Sequence, residues 1–347
     1  MPIAEMILTT VYGMKVLVAG GAGYIGAITA AALESGGHTP VVLDSLLTGP
    51  EVFVRGRLFY RGDIADRELL ARIIADHPEI ECTIDMAARI VVPESAKIPY
   101  EYYRDNVAKS LELFDQLQRL GKPRVVFSSS ASVYAASQNF EVFEDSPTDP
   151  QSPYARTKLM METVLADLAR TGGLRALILR YFNPIGADPH LRYGMYLRQP
   201  SHVLGQLVLA AQRRRDAFEI TGTDYPTRDG TGLRDYVHVW DLALAHLAAV
   251  ERFDAVLERV GACSAIINLG TGRGVTVREL VEAVEIVLGQ PVPVREAPRR
   301  EGDVAGAFAN VDRAHTLLEW SAQRSLIEGV DSAFRWADRR EEILGYR

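Results

Sequence analysis

Tyr154 stands four residues before Lys158 in Tyr154-Ala-Arg-Thr-Lys158, and Ser130 of Ser128-Ser-Ser130 lies 24 residues upstream of Tyr154. On a helix, residues four apart share one face, so the phenol and the ammonium can act together. A tyrosine has a reference pKa of about 10. To serve as a base near neutrality it needs about 4 kcal/mol of differential stabilisation of its phenolate. One lysine does not easily supply that, whereas a lysine plus a second cation, such as an oxidised nicotinamide ring, can. Ser130, hydrogen-bonding a substrate oxygen while Tyr154 exchanges its proton, completes the geometry of general acid–base chemistry. The catalytic candidates are therefore Tyr154, Lys158 and Ser130, and the chemistry they suit is proton exchange coupled to nicotinamide redox.

Such chemistry needs a dinucleotide site, and the N-terminal region reads as one. Lys15-Val-Leu-Val-Ala19 has the pattern of a buried parallel strand. Gly20-Gly-Ala-Gly-Tyr-Ile-Gly26 follows at once and leads into an Ala-rich helical stretch from Ala27 to Leu33. Gly20 permits a tight turn, Gly23 lets backbone approach a pyrophosphate, and Gly26 allows close helix packing, with the anion on free N–H groups at the helix start. Tyr24 and Ile25, within the motif, join the cofactor-binding candidates. A second strand, Val41-Val-Leu43, ends in Asp44, 18 residues beyond Gly26, where a carboxylate can accept from the adenosine ribose hydroxyls. That charge would repel a 2′-phosphate, so NAD is expected rather than NADP. Ala87, at a strand end, and Ser128 complete this part of the set.

The chain of 347 residues is 48% hydrophobic and 24% charged, an ordinary globular balance with room for a large core. A net charge of −7 argues against a general nucleic-acid partner, and the one basic run, Arg213-Arg-Arg215, reads as a solvated helix end. Two cysteines are too few for a disulfide framework or a zinc site, so a reducing cytoplasm is the simplest setting and no metal is expected. No apolar run reaches membrane-spanning length, and the first residues lack the pattern of a signal peptide. Met1 to Tyr12 reads as a frayed extension.

Further along, strand patterns at Arg57–Arg61, Cys82–Asp85, Arg124–Phe127 and Leu174–Arg180 alternate with helical patterns near Arg67–Ile74 and Tyr100–Leu120. That alternation predicts an α/β fold, a doubly wound parallel sheet of Rossmann type with helices on both faces. Ser128 to Ser130 then fall beyond the carboxyl end of a strand, where ligands of such sheets bind. The regularity breaks at Asn183 to Pro200, which begins a smaller mixed α/β C-terminal lobe. Helices are expected there near Val203–Arg213, Asp241–Glu251 and Val277–Leu288, with a charged loop from Gly222 to Arg234.

At this point the motifs carry a resemblance. GGAGYIG, Gly62-Asp-Ile64, SSSASVY, QSPYARTK, RYFNPIGA at Arg180 to Ala187, the stretch from Gly222 to Ala243 and Arg300-Glu-Gly-Asp303 together resemble the UDP-glucose 4-epimerase branch of the extended short-chain dehydrogenases. The likeness runs from about Lys15 to Trp320. It implies a tightly held NAD and inversion at carbon 4 of a UDP-hexose through a transient 4-keto sugar. It further implies an NAD-binding Rossmann domain at 13–182 with later returns near 235–270, and a sugar-nucleotide lobe mainly at 183–347. Asp63 and Ile64 would contact adenine, Asn106 would line the cofactor groove, and Tyr181 would lie near the nicotinamide. Asn183, Arg234, Arg300 and Asp303 would hold the nucleotide diphosphate, for which guanidinium forks are independently suited. His202 falls where relatives carry an asparagine beside the sugar nucleotide. A homodimer is implied through the helices at Tyr100–Leu120 and Pro153–Leu168, which carry Leu113, Leu117, Leu165 and Leu168.

Three departures stand out: Ile90 replaces a common lysine, Asp85-Met86 replaces a common His-Phe pair, and Ala307 replaces a bulky tyrosine of some relatives. A small residue at 307 would admit an N-acetyl group. Other readings share the same cofactor machinery. A 4,6-dehydratase would need a carboxylate pair beside the serine, where this chain has Ala131, Ser132 and Val133. UDP-glucuronate 4-epimerisation or decarboxylation stays open, as does a non-catalytic NAD sensor, although both Tyr154 and Lys158 are kept.

Overall fold

Runs of consecutive apolar residues form the inner strands of one seven-stranded parallel sheet, because strands buried on both faces need no polar alternation. The computed structural model describes residues 13–299 and 304–345, so Met1 to Tyr12, Arg300 and Asp303 lie outside the described residues. The first five strands are β1 (Lys15–Ala19), β2 (Thr39–Asp44), β3 (Leu58–Arg61), β4 (Ile80–Asp85) and β5 (Arg124–Ser130). The sheet runs Ser264–Leu269, Arg175–Tyr181, β5, β4, β1, β2, β3. Its order reverses between β4 and β2, on either side of β1, so the carboxyl end of β1 opens onto the crevice where ligands of such sheets bind.

One face packs beneath α1 (Tyr24–Ser35) and the helix Val239–Glu251, with Val16, Val18, Ile84, Leu177 and Leu242 in the shared core. The other face carries α2 (Arg67–Asp76) and the helices Lys109–Arg119 and Pro153–Arg170. Leu113, Leu117 and Leu165 are fully buried here against the sheet. They are core residues, which corrects their use as markers of a dimer face; the exposed apolar side chains on the same two helices are Leu111 and Met160.

Several boundaries differ from the sequence reading for local reasons. The helix after the glycine turn starts at Tyr24, three residues before Ala27, since Gly23 already serves as its N-cap. Ser128 to Ser130 continue β5 rather than follow it, paired with Leu179, Arg180 and Tyr181. The helix expected at Tyr100–Leu120 is broken by a π-helical turn at Arg104–Ala108, a distortion often found at functional sites. Leu233 and Arg234, expected in a loop, form a short strand.

Beyond Asn183 the chain builds a second core around Leu204, Leu207, Phe218, Ile220, Leu280, Val284, Val330 and Phe334. The lobe is interlaced with the main sheet. A four-stranded sheet of Val275–Thr276, Leu233–Arg234, Gly306–Ala309 and Glu141–Val142 takes its last strand from the N-terminal half. Ser264–Leu269 is sent back in exchange. No described helix is long and apolar enough to cross a membrane.

Candidate active site

The glycine turn is shaped by what a side chain would strike. Gly20 has φ +80°, and a Cβ there would lie 2.7 Å from the Ala87 nitrogen and 2.8 Å from the Met86 carbonyl carbon. At Gly26 a Cβ would collide with the Gly20 carbonyl oxygen, so β1 and α1 approach only as glycines. Gly23 caps α1 with no side-chain hydrogen bond, which leaves the first helical N–H groups available to an anion. The Tyr24 hydroxyl is committed elsewhere, donating to the Gly186 carbonyl at 2.7 Å and tying α1 to the lobe. Only the backbone of Tyr24 can serve a pyrophosphate. Ile25 packs between two apolar clusters.

At the end of β2, Asp44 Oδ2 accepts from the Ala22 N–H at 2.9 Å and Oδ1 from the Leu46 N–H at 2.8 Å, so the carboxylate braces the glycine turn. Burial raises its pKa, and those two N–H groups partly offset the rise. Asp63 Oδ2 receives a 2.5 Å hydrogen bond from Lys109, and its neighbour Ile64 is buried. Asn106, on the π-helical turn, has its amide largely engaged: Oδ1 accepts from Arg89 N–H at 2.8 Å, and Nδ2 donates to Arg89 O at 2.9 Å and to Thr157 Oγ1 at 3.1 Å. Its side chain therefore pins the segment after β4 to the Tyr154 helix.

That helix, Pro153–Arg170, begins on Ser152, whose hydroxyl accepts from the Ala155 N–H, with Pro153 in the first turn where a missing N–H costs nothing. Tyr154, Lys158 and Glu162 recur every four residues and face the sheet together. Tyr154 is buried, which raises its pKa, while the Ser130 hydroxyl acts in the opposite direction. Ser130 Oγ accepts from Ser132 N–H at 3.2 Å and from Ser132 Oγ at 2.9 Å, leaving its own proton to donate. Lys158 donates to the Ser128 carbonyl at 2.7 Å and sits 4.9 Å from the Phe127 ring centroid. Burial pulls the ammonium down to about 8 against the upward influence of Asp85 and Glu162. Tyr181 ends the neighbouring strand, its pKa also raised by burial, close enough to Tyr154 and Asp85 to feel both.

Sequence reading missed the groups behind this row. Glu162 forms two hydrogen bonds with Arg180, at 2.9 and 2.6 Å, and accepts the Ser129 hydroxyl. Arg180 also donates to the Glu144 carbonyl at 3.1 Å and lies over the Tyr134 ring, whose hydroxyl donates to Asn268 at 2.6 Å. The spacing of Glu162 from Lys158 was the available signal; Arg180 sits on a strand with no comparable mark.

On the lobe side, Arg234 and Ala307 are register partners in adjacent parallel strands. Ala307 packs with Ala131 and Leu159 against Val133 and Phe182, next to the chain segments that carry Ser130 and Tyr154. Asn183 starts a short strand paired to Tyr236, its N–H donating to Asp235 O at 3.0 Å. His202 caps the helix Val203–Ala211, accepting from the Gly205 N–H at 3.1 Å. Its buried ring lines a cavity of about 30 Å³ with Tyr24 and Trp336, and burial lowers its pKa to about 4. The helix-start role is thus realised. Among the described residues no group of three or more His, Cys, Asp or Glu could hold a metal ion.

The NAD dependent epimerase/dehydratase family matches residues 16–270. The chain is 42% identical to a UDP-glucose 4-epimerase of Rhizobium meliloti (strain 1021), over 94% of this chain and 98% of that one. Among solved structures it resembles UDP-glucose-4-epimerase from Stenotrophomonas maltophila with bound NAD and formylated UDP-arabinopyranose, at TM-score 0.89 and 38% identity, covering 95% of this chain and 99% of that one. The UDP-Glc/GlcNAc 4-epimerase of Campylobacter jejuni matches at TM-score 0.80 and 33% identity, over 94% of this chain and all (100%) of that one.

Proposed function

The chain belongs to the NAD dependent epimerase/dehydratase family, and from that premise we propose how it works as an NAD-dependent isomerase that inverts carbon 4 of a UDP-hexose. The observation that carries the reading is one helix face bearing Tyr154 and Lys158 beside Ser130, behind a glycine turn whose Gly20 and Gly26 leave no room for a Cβ. NAD fits the groove. The uncapped start of α1 suits a pyrophosphate, Asp44 stands at the end of β2 for the ribose, and the Gly20 cradle keeps the approach open. The backbone of Gly20, Gly23, Tyr24, Ile25 and Gly26 would line it, with Asp63, Ile64, Ala87, Asn106, Ser128 and Tyr181 along its length. When bound, NAD supplies a hydride acceptor and donor for carbon 4.

Tyr154 takes the proton of the sugar's 4-hydroxyl and later returns it, while Ser130 hydrogen-bonds the same oxygen and Lys158 provides the cation that favours the phenolate. Burial alone would make Tyr154 a weaker acid; the Ser130 hydroxyl acts against that, and Lys158 together with the bound cofactor's positive charge would supply the rest of the lowering. Residues 183–347, with Asn183, His202, Arg234, Arg300 and Asp303, would hold the UDP portion while the 4-keto sugar turns over. Residues 13–182, with returns near 235–270, would hold the cofactor. The small Ala307 in the cluster beside Ser130 supports acceptance of N-acetylhexosamines as well as UDP-glucose and UDP-galactose. Ala131, Ser132 and Val133 offer no carboxylate for dehydration. We further infer a cytoplasmic enzyme, in keeping with free Cys82 and Cys263, and a homodimer with Leu111 and Met160 at its contact.

Purified protein given UDP-glucose, UDP-N-acetylglucosamine or UDP-glucuronate, without added NAD, should yield the 4-epimer of the first two by NMR. Tyr154→Phe should lose turnover by about 10²–10⁴-fold yet retain NAD. Near-normal turnover in that variant sinks the assignment of Tyr154.

A further inference from the structure

Asp85 closes β4, in register with Phe127 of β5, and its side chain is 1% exposed. Oδ1 accepts from the Ala87 N–H at 3.1 Å, whereas Oδ2 is buried without a hydrogen-bond partner. A buried carboxylate so poorly solvated is costly unless a cation compensates it. The cation at hand is Lys158, held over the Phe127 ring and bonded to the carbonyl of the next residue, Ser128. Each charge favours the other's ionised form through space.

The other carboxylate acting on Lys158 is Glu162, one turn along the same helix, and it is already neutralised by the paired bonds to Arg180. Asp85 is therefore the uncompensated negative charge in the cluster. The remaining groups around the pair are Tyr181 on the strand Arg175–Tyr181 and the Ser110 hydroxyl on the helix Lys109–Arg119, which itself favours the carboxylate, both uncharged near neutrality, and Tyr154 on the Lys158 helix, which burial keeps protonated until the cofactor's positive charge is beside it.

We propose that Asp85 is a positioning residue for the epimerisation, the buried counter-charge that keeps the Lys158 ammonium protonated and seated on the Ser128 carbonyl beside Tyr154. The proposal rests on the roles given above to Tyr154 and Lys158. Burial brings Asp85 up to about 6 and Lys158 down to about 8, so both are charged between those values and the pair is neutral as a whole. Below the window Asp85 takes up a proton and Lys158 loses its partner. Above it the ammonium releases its proton and no longer supports the phenolate.

The chain has five lysines, few enough for each to be followed by NMR in holoenzyme carrying 13Cε-labelled lysine. In the unaltered protein the Lys158 signal should show a second inflection near pH 6 as Asp85 protonates. Asp85→Asn should abolish that inflection and lower the Lys158 midpoint by about one pH unit or more. The alkaline limb of kcat should move by the same amount, with KM for the nucleotide sugar and retained NAD unchanged. An unchanged Lys158 midpoint, or no inflection in the unaltered protein, overturns the counter-charge whatever the activity does. A shifted midpoint with an unshifted kcat profile overturns the positioning role by showing that turnover does not use the Lys158 charge, and so locates the failure in the reading of Lys158.

Discussion

Replacing Glu162 by Gln tests whether the helix bearing Tyr154 and Lys158 is anchored by charge. Glu162 and Arg180 are each 4% exposed and joined by bonds of 2.9 and 2.6 Å, with the Ser129 hydroxyl on the same carboxylate. Gln keeps the size and one acceptor oxygen but removes the charge. The guanidinium cannot escape by losing a proton. Its remaining partners, the Glu144 carbonyl and the Tyr134 ring, offer no full negative charge. Removing one partner of a buried ion pair costs about 3–5 kcal/mol. With a urea slope of about 3 kcal/mol/M, the midpoint should fall by about 1–1.7 M. Urea unfolding followed by circular dichroism, at equal NAD for both proteins because bound ligand adds stability, measures it. Adding Arg180→Gln should recover part of the loss, since no lone charge is then buried. A loss below about 1 kcal/mol for Glu162→Gln alone would refute the argument, because a pair that cheap to break is not desolvated.

Ala307→Tyr should reduce turnover of UDP-N-acetylglucosamine at least tenfold while leaving UDP-glucose within about threefold; parallel loss on both sugars would show that position 307 does not discriminate them. His202, His238 and His246 are held neutral by burial, each with its pKa lowered to about 4. Their unfolded value is about 6.5, so the unfolded chain binds more protons between those limits, and stability should fall as pH drops from about 6.5 to about 4. His246→Leu should flatten the urea midpoint against pH in that window, and an unchanged slope would exclude His246 from the effect.

What could be read from the sequence was whatever repeats locally. Lys15–Ala19 followed by GGAGYIG fixes strand, turn and helix within a dozen residues, and Tyr154 with Lys158 needs only a helix to bring them together. Their counterparts could not be read in the same way. Arg180 meets Glu162 only because two neighbouring strands and one helix converge, and nothing near Arg180 in sequence announces that. Leu113 and Leu117 misled for a related reason: helical spacing reveals an apolar stripe but not which surface will cover it. The π-helical turn at Arg104–Ala108 escaped notice because its residues suit an ordinary helix, and the partners of Asn106 within it, Arg89 and Thr157, lie far away in sequence.

One edge strand of the sheet, Ser264–Leu269, pairs with Arg175–Tyr181 and is separated from it by 82 residues of chain. During synthesis the Ala176-Leu-Ile-Leu179 edge therefore emerges well before the strand that covers it. At about 5–20 residues per second, that edge waits roughly 4–16 s with its backbone donors and acceptors unpaired. An apolar open edge is a template for joining another chain. The nascent protein thus passes through an interval of greatest aggregation risk that no property of the finished fold reveals, and its yield in a cell depends on how that interval is shielded.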